Sequence, residues 1–238
     1  MPGKKPEIGA VIVAGGSGAR FGGRYPKQFH PVLGKPMLLR TLLAIGTSRR
    51  IRNIVVVAPG GFLSRVRGLV KAAGLSNRCT VVAGGKTRQA SVCSGLMAFS
   101  PPPGIVLIHD GARPLVSKQV IDGVLKMARK HKGVIAALPV TDTLKKGTRD
   151  GVVGKTLDRT GYWTAQTPQV FDFQTLLKAH RKARSRRRTF TDDAALVEQQ
   201  GISVRIFPGS QRNIKITTRA DVAIAEMWLK NAKTRRTA

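Results

Sequence analysis

Short runs rich in Val and Ile alternate with segments of helical spacing along the N-terminal part of the chain, and this alternation limits the possible folds more than any other feature. Strands buried on both faces form continuous apolar runs, and helices between them imply right-handed crossovers into a mostly parallel sheet. The pattern therefore predicts a doubly wound α/β protein. The predicted strands span residues 8–13, 53–58, 79–83, 105–109 and 134–139, and the predicted helices span residues 37–47, 62–73, 88–99 and 118–131.

The pattern changes after residue 139. Residues 140–161 are polar and rich in turn residues, with short alternating pieces on either side, and they predict a projecting β-arm. We interpret residues 1–238 as one domain that includes this arm, because domains usually hold about 100 to 200 residues. The other predicted elements are a helix at 173–187, strands at 204–207 and 214–217, and a helix at 219–231.

The charge balance indicates an anionic partner. The chain has 42 Lys and Arg residues against 12 Asp and Glu residues, a net charge of +30, which would attract nucleotides, nucleic acids, phosphorylated metabolites or anionic membranes. The basic runs at 181–188 and 230–236 leave open a nucleic-acid-binding protein without catalysis. We prefer a solvated helix face and a charged tail, because two Trp and two Tyr residues provide few surfaces for base stacking.

The cysteines and the apolar segments favour a cytoplasmic protein. Cys79 and Cys93 form no metal-binding spacing with the four histidines, so both are interpreted as ordinary thiols. The apolar run at 8–13 is too short for a signal peptide and ends in glycines, which favours a first β-strand. No stretch approaches the about 20 apolar residues of a membrane span.

A glycine-rich segment follows the first predicted strand. It reads A-G-G-S-G-A-R-F-G at residues 14–22, and P-K-Q-F follows at 26–29. Glycines let backbone N–H groups approach a polyphosphate, and Arg20 and Lys27 would neutralise its charge. A strand-to-helix turn with a structural role alone is the alternative. The two cations favour phosphate binding.

Two common nucleotide-binding motifs are excluded by spacing. A dinucleotide fingerprint requires glycine at the position of Phe21 and an acidic residue about 20 positions later, but no Asp or Glu lies between Glu7 and Asp110. Residues 85–87 read G-K-T like the end of a P-loop, but Thr80 occupies the position of its first glycine.

Asp110 is the first carboxylate after a long stretch without acidic residues, and it ends a predicted buried strand. Ligands of open α/β sheets bind outside such strand ends, and a carboxylate facing a nucleotide triphosphate is suited to holding Mg²⁺. A helix N-cap or an ion pair with Arg113 is the alternative. His109 is not needed as a general base, because a phosphate monoester nucleophile is already largely ionised at neutral pH.

Six further motifs follow the glycine-rich segment, and together the seven resemble one enzyme family. Their order and spacing across nearly the whole chain are similar to the 2-C-methyl-D-erythritol 4-phosphate cytidylyltransferases of non-mevalonate isoprenoid biosynthesis. The six motifs are G-G-x-x-R-x-x-S-V at 84–92, H-D-G-A-R-P at 109–114, D-T-L-K at 142–145, D-R-T-G-Y-W-x-A-Q-T-P-Q-x-F at 158–171, T-D-D-A at 191–194 and N-I-K-I-T at 213–217.

The resemblance implies a Rossmann-type nucleotidyltransferase fold and transfer of CMP from CTP to 2-C-methyl-D-erythritol 4-phosphate with Mg²⁺ as the cofactor. It implies a catalytic set with positive charges acting on the phosphates and a carboxylate beside the metal, and a glycine-lined pocket for cytosine and ribose. The implied catalytic residues are Arg20, Lys27, Lys215 and Asp110, Asp110 also being the metal ligand, and the implied nucleotide-binding residues are Ala14, Gly15, Gly16, Gly18, Gly85, Ser91 and Asp110.

The resemblance also implies the acceptor site and a homodimer. In the family the arm crosses to a second subunit, so that Thr143 and Arg159 would serve the partner's site. Taken alone, Ser91 and Thr143 have ordinary structural alternatives, and Thr191 could be the N-cap of a helix. The residues implied to bind methylerythritol phosphate are Arg113, Thr143, Arg159, Thr167, Thr191 and Lys215.

Some positions depart from the family pattern, and rival functions remain. Many relatives have Ala-Ala-Gly at 14–16, alanine at Gly111 and an acidic residue at Lys86, which leaves the contact of Lys86 with the base open. Ribitol 5-phosphate cytidylyltransferases share the glycine loop, P-K-Q-F and Q-T-P-Q. The T-D-D-A motif, Ser91–Val92 and the Tyr162–Trp163 segment favour the methylerythritol enzyme. A regulatory module that binds nucleotide without turnover is the third alternative.

Overall fold

A central sheet of seven strands organises the structure, a computed structural model that describes residues 6–16, 21–22 and 25–234. Two smaller two-stranded sheets accompany it. The strands are β1 (Ile8–Val13), β2 (Pro31–Val32), β3 (Lys35–Pro36), β4 (Ile51–Ala58), β5 (Cys79–Ala83), β6 (Ile105–Asp110), β7 (Gly133–Pro139), β8 (Leu144–Gly147), β9 (Val153–Leu157), β10 (Trp163–Asp172) and β11 (Arg205–Pro208). The helices are α1 (Met37–Gly46), α2 (Leu63–Ala72), α3 (Arg88–Met97), α4 (Lys118–Met127), α5 (Phe173–Ser185), α6 (Asp193–Glu198) and α7 (Arg219–Thr234).

The strand order in the central sheet is β11-β7-β10-β6-β1-β4-β5. Strand β10 runs antiparallel to its neighbours β6 and β7, and every other neighbouring pair is parallel. The predicted doubly wound, mostly parallel α/β fold is therefore confirmed. The parallel strands β1, β4, β5 and β6 bring their carboxyl ends to one edge of the sheet, where a ligand site is expected.

The apolar core covers both faces of this sheet. Helices α1, α2 and α4 contribute to the cluster on one face, which contains Ala10 and Ile12 of β1. Helices α3, α5 and α6 contribute to the cluster on the other face, which contains Val11. The continuous apolar run of β1 thus reflects a strand covered on both sides, as the sequence predicts.

Two parts of the C-terminal region differ from the predicted elements. Residues 214–217 were predicted as a strand, but they form none. Ile216 is instead buried in a small cluster with Phe21, Val32 and Met37, and its N–H donates to the Ala112 carbonyl at 2.9 Å. The long strand β10 was not predicted as a strand. It supplies a central ladder of the sheet between β6 and β7.

The segment interpreted as a β-arm contains an antiparallel pair outside the central sheet. Strands β8 and β9 pair with each other in a separate two-stranded sheet, and most of their side chains are exposed. Exposed apolar side chains lie in and beside this hairpin. They are Val152, Val153, Tyr162 and Trp163.

The basic run at 181–188 covers the C-terminal end of α5 and the three residues that follow it. Ala183 of this run is buried, whereas its charged side chains are exposed, among them Lys182 and Arg184. A solvated helix face is thus what the structure contains there. Within residues 6–16, 21–22 and 25–234, no helix combines the length and hydropathy needed to cross a bilayer.

Candidate active site

A cavity of about 640 Å³ opens at the carboxyl edge of the sheet. Strand β1 leads into it through residues 14–16, and β6 ends in it at Asp110, because Val13 and Asp110 are paired in the ladder of these two strands. The loop after β5 and the N-terminal turn of α3 form another wall. The residues that line the cavity include Ala14, Gly15, Gly16, Lys27, Gln28, Gly85, Lys86, Thr87, Arg88, Ser91, Asp110, Lys215 and Thr217.

The wall formed by the loop after β5 depends on a buried serine. The Ser91 hydroxyl donates to the Thr87 carbonyl at 2.9 Å and accepts from the Gly85 N–H at 3.2 Å. Thr87 caps α3, because its side chain accepts from the Ala90 N–H at 3.0 Å. An added Cβ at Gly84 would lie 2.8 Å from the Ser91 oxygen. Ser91 therefore has the structural role noted as its alternative, and it also lines the cavity.

Lys27 lines the cavity and begins a short 3-10 turn, Lys27–Phe29. Its Nζ donates to the Ile216 carbonyl at 2.7 Å, directly beside Lys215 in the chain. The buried Gln28 donates to the Ala14 carbonyl at 2.6 Å and ties this turn to the end of β1. Two lysines from distant parts of the chain are thus brought to one cavity. Arg20 and Gly18 lie outside the described residues.

Three cations among the described residues surround the Asp110 carboxylate. Lys215 Nζ lies 2.8 Å from Oδ2, Arg88 Nε lies 3.2 Å from Oδ1, and Arg113 Nε lies 3.8 Å from Oδ2. Burial alone would raise the pKa of Asp110, but the positive charges of Arg88, Lys215 and Arg113 outweigh burial and hold this pKa well below its usual range. The carboxylate is therefore ionised at neutral pH. The predicted ion pair with Arg113 exists as one of three.

His109 and Thr167 form a buried network behind Asp110. The Thr167 hydroxyl accepts from the Asp110 N–H at 3.1 Å and donates to His109 Nδ1 at 3.0 Å. The other ring nitrogen of His109 donates to the Arg113 carbonyl at 3.1 Å, because a carbonyl can only accept. Burial lowers the pKa of His109 to about 4. His109 is therefore a neutral structural residue, as expected when no side-chain base is needed.

Arg88 joins two buried carboxylates, and the sequence analysis did not single it out. Its Nη1 donates to Asp193 Oδ2 at 2.7 Å, and its Nε contacts Asp110. Burial would raise the pKa of Asp193, but Arg88 and His180 lower it below its usual range. Arg88 stands within one of the seven motifs and Asp193 within another. Their places in these two motifs are the only signal that the sequence gives for either residue. No spacing in the sequence indicates that the two form a pair.

Five of the described residues implied by the resemblance do not line the cavity. Arg113 and Thr167 are buried beside Asp110, and the other three are exposed. Thr143 and Arg159 are exposed on the arm, and the Arg159 guanidinium donates to the Thr141 carbonyl. Thr191 is exposed as well. It is not the N-cap of α6, because the Asp192 side chain accepts from the Ala195 N–H at 3.0 Å and takes that role.

The cavity offers one carboxylate as a magnesium ligand. Asp110 is the acidic residue among those that line it, and the described part of the chain contains no group of three or more His, Cys, Asp or Glu side chains arranged to hold a metal. Mg²⁺ is usually held by one or two carboxylates together with substrate phosphates and water. One ionised carboxylate at a cationic cavity fits this mode and does not fit a cage made of protein ligands alone.

Fold and site together define a nucleotidyltransferase-like α/β protein, with a ligand cavity at the carboxyl ends of its strands and cations around a single carboxylate. Comparison with known proteins then gives the family. The chain belongs to the IspD family, 2-C-methyl-D-erythritol 4-phosphate cytidylyltransferase, whose model matches residues 8–231. The family predicted by the seven motifs is confirmed.

Individual relatives agree with this family. The chain is 41% identical over 225 residues to a 2-C-methyl-D-erythritol 4-phosphate cytidylyltransferase of Pelotomaculum thermopropionicum, covering 94% of each chain. It is 41% identical over 232 residues to the Syntrophus aciditrophicus protein of the same name, covering 97% and 99%. The crystal structure of 4-diphosphocytidyl-2C-methyl-D-erythritol synthase from Anaerococcus prevotii is similar, with a TM-score of 0.83 and 30% identity over 94% of this chain and 96% of that one.

Proposed function

We propose that this chain transfers CMP from CTP to 2-C-methyl-D-erythritol 4-phosphate, giving 4-diphosphocytidyl-2-C-methyl-D-erythritol and pyrophosphate for isoprenoid precursor biosynthesis. Family membership supports the reaction. The observation that carries the assignment to this chain is the cavity that Lys27 lines and in which Lys215 and Arg88 pair with Asp110. Positive side chains of this kind can bind two anionic substrates and stabilise the negative charge that develops on the phosphates during the reaction.

In the proposed step a phosphate oxygen of methylerythritol phosphate attacks the α-phosphorus of CTP. A new P–O bond forms to this phosphorus, its bond to the oxygen bridging the α- and β-phosphates breaks, and pyrophosphate leaves with the bonding electrons. No proton has to be removed by a side chain, because the attacking phosphate is largely ionised at neutral pH. The protein contributes positioning and charge stabilisation, which dominate catalysis of such transfers.

The nucleotide half of the cavity is proposed to bind cytidine through backbone and small side chains. Residues 14–16, which directly follow β1, line the cavity together with Gly85 and Ser91, and an added Cβ at Gly15 would lie 3.3 Å from the Ser91 oxygen. Backbone N–H groups in glycine-rich turns can approach phosphates closely. Arg20 and Gly18 are proposed for the same half, and Lys27 and Arg20 are assigned to the triphosphate.

The acceptor half is proposed to lie beside Asp110 on the side of Arg113 and Lys215. Arg113 is buried, and its Nη1 donates to the Asn213 carbonyl at 2.7 Å. Thr167 is held against Asp110 by the hydrogen bond from the Asp110 N–H. We assign Arg113, Thr167, Thr191 and Lys215 to methylerythritol phosphate, with Lys215 orienting the attacking phosphate.

Mg²⁺ is proposed as the cofactor, held by Asp110 together with the phosphates of CTP. When bound, the ion would neutralise charge on those phosphates. Asp110 is suited to this because its carboxylate remains ionised among the surrounding cations. Lys27 and Lys215 would carry the positive charge that the protein itself supplies.

A substrate panel tests the proposed activity. We expect pyrophosphate release with Mg²⁺, CTP and methylerythritol 4-phosphate, and much slower release when UTP, ATP or GTP replaces CTP or when a hexose 1-phosphate replaces the acceptor. Faster release with ribitol 5-phosphate would keep the fold and the step but move the substrate. No release with any pair, together with salt-dependent DNA binding, would contradict the proposal in favour of a nucleic-acid-binding protein.

We further propose a homodimer in which the β-arm crosses to the partner. The arm carries the exposed apolar residues Val152 and Val153, and the exposed Tyr162 and Trp163 directly follow it. Exposed apolar residues grouped in this way are typical of contact surfaces. Thr143 and Arg159 lie on the same arm, away from the cavity of their own chain, so they are proposed to complete the site of the partner. Such an arrangement is reciprocal in a twofold dimer.

Mixing two inactive variants tests the crossed arm. Lys27→Ala disables a site from its own chain, and Arg159→Ala would disable the site of the partner. In a mixed dimer one site would carry both changes and the other neither, so reassembly of equal amounts is expected to restore about a quarter of wild-type activity. No recovery after verified subunit exchange, or a monomeric mass at assay concentration, would contradict the crossed arm.

We place the protein in the cytoplasm and treat residues 1–238 as one nucleotidyltransferase domain. Both cysteines, Cys79 and Cys93, are free thiols, which suits a reducing compartment. The strands on either side of the arm, β7 and β10, belong to the same central sheet. This supports an arm that is an insertion within the domain and not a separate domain.

A further inference from the structure

Asp193 is a fully buried carboxylate at the first position of α6. Its Oδ2 accepts from Arg88 Nη1 at 2.7 Å, and its Oδ1 accepts from His180 Nε2 at 3.1 Å. Its backbone N–H donates to the Gln169 side chain at 3.2 Å. A buried charge is costly unless it is paired. Asp193 therefore depends on Arg88, and it holds that side chain in a fixed direction.

Arg88 transmits this constraint to the cavity. Its guanidinium is a rigid planar fork, and the same fork that meets Asp193 lies 3.2 Å from Asp110 through Nε. The position of Asp193 thus sets the angle from which Arg88 contacts the carboxylate at the centre of the proposed site. The side chain of Arg88 remains 26% exposed, whereas that of Asp193 is 1% exposed. The buried carboxylate is the anchor, and the arginine is the part that reaches the cavity.

The ion pair also joins two parts of the chain that are 105 residues apart in sequence. Arg88 begins α3, whose N-terminal turn includes Ser91 and forms the proposed nucleotide wall. Asp193 begins α6, two residues after Thr191, which is assigned to the acceptor. One contact therefore connects the segment proposed to bind CTP with the segment proposed to bind methylerythritol phosphate.

We propose that Asp193 is a positioning residue that acts through Arg88 to hold Asp110 and the two substrate segments in the arrangement needed for transfer. The inference rests on the proposed cytidylyl transfer and deepens it, because it assigns Arg88 and Asp193 to the same site. A purely structural ion pair is the competing explanation, since buried pairs also occur without any role in chemistry. The two explanations differ in how kcat responds to combined substitutions.

A double-mutant cycle separates them. Arg88→Gln and Asp193→Asn are each expected to lower kcat by about 10- to 100-fold, because small displacements of a catalytic group carry losses of this size. If Asp193 acts through Arg88, the double variant should be no slower than Arg88→Gln alone. Losses in kcat that multiply in the double variant, or single variants with wild-type kcat and only a lower Tm, would overturn the inference.

Two further variants keep the test decisive. Asp172→Asn removes a carboxylate at the N-cap of α5, where its side chain accepts from the Thr175 N–H, and it keeps a good N-cap, so it is expected to retain wild-type kcat. If Asp193→Asn does not fold, Arg88→Lys takes its place: a lysine keeps the charge near Asp110 but lacks the fork that reaches both carboxylates. Its kcat is expected to stay low, and wild-type kcat would overturn the inference.

The activity of the wild-type protein distinguishes failure of the proposed function from failure of the inference about Asp193. An inactive wild type with every substrate pair would remove the proposed function and the inference with it. An active wild type whose Arg88→Gln variant is equally active would remove the inference alone.

Discussion

Replacement of Lys27 by alanine is expected to lower kcat by about 10²- to 10³-fold, the loss typical of removing one preorganised donor aimed at developing charge. Lys27 lines the cavity, and its ammonium group is oriented by the Ile216 carbonyl at 2.7 Å. Its charge is therefore fixed at the wall of the cavity in which the phosphates of CTP are proposed to bind. Steady-state kinetics with CTP and methylerythritol phosphate measure the effect, and a thermal melt shows whether the variant remains folded.

A matched lysine separates the local effect from a general loss of positive charge. Lys35 is exposed on β3 and does not line the cavity. With a net charge of +30, losing one lysine changes the overall attraction for anions only slightly. Lys35→Ala should therefore turn over like the wild type. Wild-type turnover by Lys27→Ala would refute its assignment to the triphosphate.

Acidification is expected to destabilise the protein through His109. Its pKa in the folded state is about 4, below the unfolded value of about 6.5. Between these two pH values His109 is protonated in the unfolded chain but neutral in the folded protein. Its contribution to the free energy of unfolding is therefore intact above the unfolded pKa and is lost as the pH falls toward the folded pKa. Between pH 7 and pH 5 the loss from this one residue is about 2 kcal/mol.

Urea unfolding at the two pH values, without divalent cations or nucleotide, measures this effect. Replacing His109 by glutamine removes the titrating ring, so the variant should lose about 2 kcal/mol less than the wild type over the same interval, although it is less stable at neutral pH. His131, which is half-buried on the loop before β7, is the matched control for replacing a histidine by glutamine. An unchanged loss in His109→Gln would contradict the buried neutral imidazole.

The inner strands β1 and β6 were predictable because they are covered on both faces. Strand β1 begins and ends where its apolar run does, and β6 extends one residue beyond its predicted end. The missed strand β10 contains Gln166, Thr167 and Gln169, which are buried but polar, so its sequence resembles a loop. The opposite error occurs at residues 214–217, whose alternating sequence predicts a strand that the structure does not contain. Ile216 packs there into a separate apolar cluster.

The charged residues at the centre of the candidate site were predictable from the sequence, whereas the buried contacts that hold them in place were not. Asp110 stood out because it follows a long stretch without acids, and the lysines stood out within motifs. The pairing of Arg88 with Asp193 depends on how α3 and α6 meet in space, across 105 residues of sequence. No pattern within a short stretch of sequence indicates a contact between residues so far apart in the chain. Buried supporting contacts of this kind become visible only when the fold brings them together.

The most direct test of the central claim follows the oxygen atoms of the acceptor phosphate. Methylerythritol 4-phosphate labelled with ¹⁸O in its phosphate is incubated with CTP, Mg²⁺ and the wild-type protein, and the products are analysed by mass spectrometry and ³¹P NMR. Attack on the α-phosphorus of CTP predicts that all of the label remains in 4-diphosphocytidyl-2-C-methyl-D-erythritol, with one labelled oxygen bridging the two phosphorus atoms, and that pyrophosphate is unlabelled. Labelled pyrophosphate, or CMP and pyrophosphate without the joined product, would contradict the account.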